Sequence, residues 1–386
     1  MKILFITRGY PSGKHMQLGN FEATQARALA RCGHQVTIVS LNFLSVKFWD
    51  ILGERHRFID GIYVYERYCL AIPSNTLMPR NIMNFFLKKM LDKVYNMLVG
   101  KIGVPDIVHA HYLQISSFAI LLKEKYNLPL VCTEHWSKIN ADKISNSVLN
   151  LGKKTYPYVD EIIAVSSETS RSIERYFNRK STVIFNMVDN AFFEKEEINR
   201  FENVFTLIAI GEMNDYRKGF DVLLKAFSLL RKQTNARLLL VGRGKRMNHL
   251  KTLSENLNVG KDVCFLGEKS PLEIRRLISS SDALVLSSHI ETFGVVLIEA
   301  MAQGKPVVAT CCGGPEEFVK DDCGYLVKKN DIEDLYQGLF KIKQNINDFK
   351  SDVIREYCYN KFSEKTISLQ ILGIYEKVVA RCKRIT

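Results

Sequence analysis

Short apolar runs alternate with amphipathic stretches along almost the whole chain, and their order is strand, helix, strand. Residues 2–7 (KILFIT) are continuous enough in apolar character for a buried strand, and a polar loop follows as far as Gly19. Helical spacing takes over at 21–31, and Gly33 leads into a second apolar run, QVTIVS. The same signals place strands at 106–110 (DIVHA), 130–133 (LVCT), 162–165 (IIAV) and 182–185 (TVIF), with helical stretches between them. That alternation predicts an α/β domain built on a largely parallel sheet.

A polar, acidic stretch, FFEKEEINRFEN at 192–203, interrupts the pattern and reads as an interdomain linker. A second doubly wound half then begins: FTLIAIG, the helix GFDVLLKAFSLL, and the runs RLLLVG, DVCFLG, DALVLSS and PVVAT. The predicted domains are therefore 1–192 and 203–363. The remaining segment, 364–386, reads as one amphipathic helix with Ile367, Ile371, Ile374, Tyr375 and Val378 on its apolar stripe. Open α/β sheets bind ligands beyond the carboxyl ends of their strands, so chemistry is expected in those loops.

The most telling loop is ETFGVVLIEAMAQGKPVVAT, 291–310. Glu291 follows the predicted strand at 283–286, and from about Phe293 the spacing turns helical, with Val296, Leu297, Ala300 and Met301 on one stripe. Gly304 and Pro306 supply the stop signal. Gly294 lets the backbone come close to a ligand, and the first amides of the helix, beginning near Val295, suit a diphosphate. Glu299 lies about 8 Å further along the helix at ~1.5 Å per residue, roughly a diphosphate plus a sugar bond. Two carboxylates eight residues apart could thus bind hydroxyls on either side of a phosphate pair.

Other loops carry matching chemistry. Arg217 and Lys218 precede Gly219 after the strand at 205–211, where cations stabilise the developing charge of a diphosphate leaving group. LVGRGKR sets Gly242 and Gly244 after another strand, but Met247 stands where a dinucleotide fingerprint needs its third glycine. Gly313 and Gly314 in CCGGPEEF permit positive φ or a close backbone approach, although a simple tight turn would also use them. His135 in TEHW stands just beyond the strand at 130–133.

In this order the motifs resemble the family-four retaining glycosyltransferases, which have the GT-B fold, over nearly the whole chain. The resemblance implies two Rossmann-like domains facing across a cleft, with a C-terminal helix, about 364–386, crossing back to the first. It implies that Glu291 contacts donor-sugar hydroxyls, Glu299 the ribose, Lys218 the diphosphate and His135 a distal sugar hydroxyl. The implied catalytic set is Lys218, Glu291 and His135. The implied donor-binding set is Gly19, Arg217, Gly242, Phe293, Gly294, Val295, Glu299, Gly313 and Gly314, with weaker matches at Tyr10, Asn20, His109, His111, Ser166, Asn186, Arg243 and 265–267. One position departs: Glu212 stands where the family has an arginine, so Arg217 or another cation takes over, or Glu212 turns away. The activity implied is transfer of a hexosyl group from a nucleotide-diphospho-sugar, foremost a UDP-sugar, to a hydroxyl of a glycan or lipid-linked acceptor in surface polysaccharide biosynthesis. Retention in the family is explained by front-face displacement, and neither a metal nor a cofactor is expected.

Composition narrows the alternatives. With 386 residues and 46% hydrophobic content, the chain can bury two sizeable cores. It has no run of eighteen apolar residues and no signal-peptide pattern at its start, so a cytoplasmic location is expected. Nine scattered cysteines without C-x-x-C or His-Cys spacing suggest free thiols and no zinc site. The formal charge is +13, and residues 1–190 carry 24 Lys or Arg against 15 Asp or Glu, so +9 lies in that half. No RNA-binding motif accompanies this charge, which ranks nucleic acid last as a partner. The segment 81–101 mixes Phe, Leu and Met with lysines; it could lie on the cytoplasmic face of an anionic membrane, or pack as core with its lysines exposed. Two rival functions use the same residues: a sugar-nucleotide epimerase or hydrolase, and a non-catalytic donor-binding partner subunit.

Overall fold

The structure is a computed structural model that describes residues 1–13, 15, 18–71, 80–141, 143–194 and 204–384. It divides into two compact units: Met1–Phe185 with the chain from Ile367 onward, and Asn186–Thr366. The stretch read as a linker lies outside the described residues from 195 to 203. Residues 186–192, grouped by sequence pattern with the first domain, fold with the second unit. There the Val188 amide donates to the Phe362 carbonyl (2.9 Å) and the Asn190 amide to the Glu364 carboxylate (3.0 Å).

The first unit runs β1 (Lys2–Thr7), α1 (Asn20–Arg31), β2 (Gln35–Leu44), β3 (Gly53–Ile59), β4 (Ile62–Leu70), α2 (Arg80–Ile102), β5 (Ile107–His111), α3 (Leu113–Tyr126), β6 (Leu130–Glu134), α4 (Asn146–Thr155), β7 (Glu161–Ala164), α5 (Ser167–Phe177) and β8 (Thr182–Val183). Its eight strands lie in the order β3-β4-β2-β1-β5-β6-β7-β8. All neighbours are parallel except β3 and β4. Side chains alternate faces along a strand. Leu4, Ile6, Val39, Leu41, Val108 and Ala110 therefore enter one core with α2, α3, α4 and α5. Their neighbours Ile3, Phe5, Ile38 and His109 point the other way and are buried as well.

The hairpin β3–β4 was not expected, because β3 is a charged edge strand whose side chains are mostly exposed. Its signal was local: Asp60-Gly61, with φ of 51° and 77°, is a two-residue turn between the paired Ile59 and Ile62. In helix α2, Leu87, Leu91, Val94, Tyr95 and Leu98 are buried in the core, whereas Ile82, Phe85 and Phe86 near its start are exposed.

The second unit continues with β9 (Phe205–Ile210), α6 (Phe220–Arg231), β10 (Ala236–Val241), α7 (Met247–Asn256), β11 (Val263–Gly267), α8 (Pro271–Ser280), β12 (Ala283–Leu286), α9 (Val295–Ala302), β13 (Val307–Cys311), β14 (Gly324–Lys328), α10 (Ile332–Gln344) and α11 (Ser351–Phe362). Its six parallel strands lie in the order β11-β10-β9-β12-β13-β14. The chain builds outward from β9 in one direction and then returns to build outward from its other side. The strand order therefore reverses between β9 and β12, the place where open α/β sheets bind ligands at the strands' carboxyl ends. The first sheet has the same reversal between β1 and β5.

The last helix, α12 (Glu364–Lys383), buries Ile367, Ile371, Ile374, Tyr375 and Val378, the stripe its spacing predicts. Its Tyr375 hydroxyl lies 2.5 Å from Nδ1 of His109, whose Nε2 is 2.7 Å from the Thr133 hydroxyl. Burial pushes His109 down to about 3, so the ring is neutral and can donate to one hydroxyl while accepting from the other. Tyr375→Phe leaves one ring nitrogen buried without its partner. It should lower stability by about 1–3 kcal/mol, read as a shift of the urea unfolding midpoint.

Candidate functional site

The site at the reversal between β9 and β12 is framed by close approaches that only glycine can supply. Gly219 has φ of 61°, and a Cβ there would stand 2.0 Å from the Ser287 carbonyl oxygen. Gly242, at φ of 136°, would place one 1.9 Å from the Gly211 carbonyl oxygen. These close approaches hold the loops together by main-chain bonds. His289 donates its amide to the Arg217 carbonyl (2.7 Å), the Ser287 hydroxyl donates to the Lys218 carbonyl (2.8 Å), and Gly211 donates to the Val241 carbonyl (2.9 Å).

Clamped in this way, Lys218 meets Glu291: its Nζ is 2.6 Å from Oε2 of the carboxylate, which also accepts from the Ser288 hydroxyl at 3.4 Å. Neither side chain is fully covered, with 30% of Lys218 and 17% of Glu291 exposed. The Glu291 amide donates to the Cys312 carbonyl at 3.0 Å, which ties the loop after β12 to the end of β13. Three loops therefore converge on one ion pair.

Helix α9 starts four residues beyond Glu291, at Val295. Gly294, at φ of 92°, is its N-cap and offers no side-chain cap, so the first-turn amides are not taken by a capping side chain. The helix begins at Val295, and Ile298 takes the fully buried place that Val296 was expected to share, because Val296 is only partly covered. Phe293 turns its ring into the core against Phe318 and Phe362, which leaves its backbone as its only part near the loop. Gly314 packs directly on that backbone, where a Cβ would lie 2.4 Å from Phe293 Cα. Gly313, at φ of 119°, donates its amide to the Glu316 carboxylate, 3.1 Å to each oxygen.

Glu299 stands one turn into α9, crowded enough that desolvation pushes its carboxyl up to about 7, with the nearby Asp189 charge adding to the effect. Nothing in the spacing pointed to Asp189, which lies more than a hundred residues earlier and reaches the site only through the fold.

Other candidates are turned elsewhere. Arg217 directs Nε to Asp215 (2.8 Å) and is 56% exposed, and Arg243 pairs with Glu268 (2.6 Å). Glu212 accepts from Asn214 at 3.1 Å. With glutamate at 212 in place of the family's arginine, Lys218 is the cation that the loop holds against Glu291.

Gly19, His109, His111 and His135 belong to the first unit, near the carboxyl ends of β1, β5 and β6, whereas Asn186 and 265–267 belong to the second. Gly19, at φ of 74°, is the N-cap of α1 and packs against Gly9. His135 lies 3.2 Å from His111, Nε2 to Nδ1, and stacks on it with the Phe21 ring nearby. Burial, with His109, His135 and Arg8 as positive or potentially positive neighbours, pushes His111 far down, so it is neutral. Two residues that the sequence pattern passed over complete this cluster. Arg8, just after β1, donates to the Tyr112 hydroxyl at 2.6 Å and lies 3.5 Å from the buried Glu22 carboxylate. Tyr112 holds φ of 71° without being glycine.

Comparison with known proteins fits this geometry. Residues 20–192 match the model of Glycosyltransferase Family 4, and residues 190–356 match that of Glycosyl transferases group 1. An uncharacterized glycosyltransferase of Methanocaldococcus jannaschii is 24% identical, over 96% of this chain and 97% of its own. The N-acetyl-alpha-D-glucosaminyl L-malate synthase of Bacillus anthracis is 28% identical, over 71% of this chain and 75% of its own. Among solved structures, a sucrose-phosphate synthase from Thermosynechococcus elongatus superposes with a TM-score of 0.79 at 19% identity, covering 98% of this chain and 99% of that one. Anabaena HepE, in complex with UDP and glucose, does so at 0.74 and 20%, covering 98% and 100%. Together the two family models take in almost everything from residue 20 to residue 356, and the chain belongs to the GT-B glycosyltransferases of family four.

Proposed function

We propose that the protein is a retaining hexosyltransferase that takes its sugar from a UDP-sugar and passes it to a hydroxyl of a glycan or lipid-linked acceptor in surface polysaccharide biosynthesis. The observation that carries this reading is the Lys218–Glu291 pair, held across the β9/β12 reversal beside the start of α9. A donor diphosphate would lie on the α9 amides at Gly294 and Val295 and on Lys218, with Gly242, Gly313, Gly314 and the Phe293 backbone lining its path. Glu291, released from Lys218 by the phosphates, would accept hydrogen bonds from sugar hydroxyls, and Glu299 from the ribose. Arg217 would swing from Asp215 to the phosphates as the second cation.

In the reaction the bond from the anomeric carbon to the diphosphate oxygen breaks. The acceptor oxygen bonds to the same face of that carbon, and the acceptor proton passes to the departing diphosphate. Lys218 stabilises the charge that develops on the diphosphate, and the family resemblance assigns His135 to the sugar and Gly19 to the donor phosphates. With these groups supplying positive charge, the reaction requires no metal.

Calorimetric titration of UDP-, GDP- and ADP-sugars without added metal should give binding by UDP-sugars alone, abolished in Glu299→Ala. Binding of another nucleotide class would replace the donor, and no binding would remove the site reading. Lys218→Ala should lower kcat about 10²–10³-fold, with the donor KM changing far less. NMR of the product should show the donor's anomeric configuration; inversion would refute the mechanism.

Glu299 adds a pH signature. Because its folded value is raised above that of the unfolded chain, its contribution to stability is complete at low pH and is lost as pH rises through about 7. Glu299→Gln should therefore gain stability over wild type between pH 5 and pH 8, by about 1–3 kcal/mol, while weakening donor binding. Parallel thermal unfolding curves for the two proteins at both pH values would contradict a raised Glu299.

A further inference from the structure

Six of the exposed large apolar side chains of the first unit lie at one end of its sheet, while Phe58, Val104 and Tyr158 lie toward the other. Leu44 of β2 pairs in parallel register with Leu70 of β4, so both stand at carboxyl ends, and Leu70 is 50% exposed. Directly after β2 a 3-10 turn, Val46–Ile51, presents Val46 and Trp49 at 68% and 69% exposure. The start of α2 is at the same end, since Asn84 accepts from Ser117 (3.4 Å) in the first turns of α3, just past the carboxyl end of β5.

There α2 departs from the usual amphipathic design. Its exposed positions 82, 85, 86, 89, 93 and 96 follow helical spacing and form one outward stripe. On a water-facing stripe polar residues are expected, yet the first three are Ile82, Phe85 and Phe86, at 45%, 53% and 44% exposure. Lysines come next: Lys89 lies with Nζ 4.7 Å from the Phe85 ring centroid, and Lys93 follows one turn on. Lys47 is exposed between Val46 and Trp49. Large rings and aliphatic groups projecting past a set of ammonium groups match the boundary of a bilayer with anionic headgroups, where the apolar tips enter the acyl region and the lysines meet phosphate. The +9 carried by residues 1–190 has the sign this requires.

We propose that this rim, Val46, Trp49, Leu70, Ile82, Phe85 and Phe86, docks the first unit on the surface of an anionic phospholipid bilayer. The part of α2 that inserts is its first two turns, since beyond them the exposed stripe turns polar at Lys89, Lys93 and Asn96. Docking sets the carboxyl ends of β1, β2 and β5 at the membrane, where an acceptor anchored in lipid presents its hydroxyl. The purpose rests on the acceptor reading given above; the docking itself does not.

The test reads binding without turnover. Full-length protein is floated with vesicles of phosphatidylcholine alone or of phosphatidylcholine with phosphatidylglycerol. Wild type should float only with the anionic vesicles, and Phe85→Gln/Phe86→Gln should bind them about ten-fold or more weakly. Trp49 and Trp136 are the only tryptophans. In Trp136→Phe, emission from Trp49 should shift to the blue on adding anionic vesicles, which reports insertion even where the double variant misfolds. Absence of flotation, equal flotation of the double variant, or equal binding to neutral vesicles would overturn the proposal. So would a concentration-dependent dimer that the double variant abolishes, which would assign the rim to a second copy. Calorimetry with UDP on the same proteins separates the readings: donor binding without flotation sinks the rim alone, and flotation without donor binding sinks the transferase reading alone.

Discussion

A parallel sheet that is built outward from its middle in both directions must have one place where its strand order reverses, and the Lys218–Glu291 pair of the candidate site depends on that place. In the second unit it lies between β9 and β12. The loop after β9 contributes a cation and the loop after β12 an anion. Because glycine at 219 lets the Ser287 carbonyl come within van der Waals distance of the backbone, the two side chains meet rather than point past each other. Sequence-distant residues thereby acquire a fixed separation without any long side chain having to search for its partner, which is how a rigid scaffold lowers the entropy cost of a polar site.

The charged groups of the site are paired with one another. Lys218 occupies Glu291, Asp215 occupies Arg217, and Glu316 occupies the Gly313 amide. Such internal partners keep charged groups from facing a crowded site unpaired, where desolvation would be costly. They also mean that an anion entering the site competes with carboxylates already in position.

The sequence disclosed most of the sheet strands because those buried on both faces are almost uninterrupted apolar runs, as at 205–210 and 236–241. It also disclosed the frame of the site, because Glu291, Gly294 and Glu299 lie on one short segment whose period changes from strand to helix. What it hid was of two kinds. The β3–β4 hairpin is an edge whose polar side chains give little periodic signal beyond Asp60-Gly61. Likewise, the partners of the motifs, such as Asp189 beside Glu299 and Tyr112 over Arg8, are joined by tertiary packing that no local spacing encodes. Segment 81–101 shows the same limit: hydrophobic and basic content was legible, but whether its apolar groups faced inward or outward was decided by neighbours. The answer was both, by turn.

The last helix has a consequence for how the chain is made. His109 lies in the middle of the first sheet, yet one of its two hydrogen-bond partners is Tyr375 of the last helix, which also buries Ile367, Ile371 and Val378. On a ribosome the first unit emerges early but cannot finish its core until residues 186–366 have been synthesised and the final turns follow. The later unit, whose strands and helices are all contiguous, is free to fold first. Order of synthesis and order of completion are thus reversed, and a nascent chain of this protein carries an open apolar sheet face through most of its translation, exposed to whatever chaperones attend it.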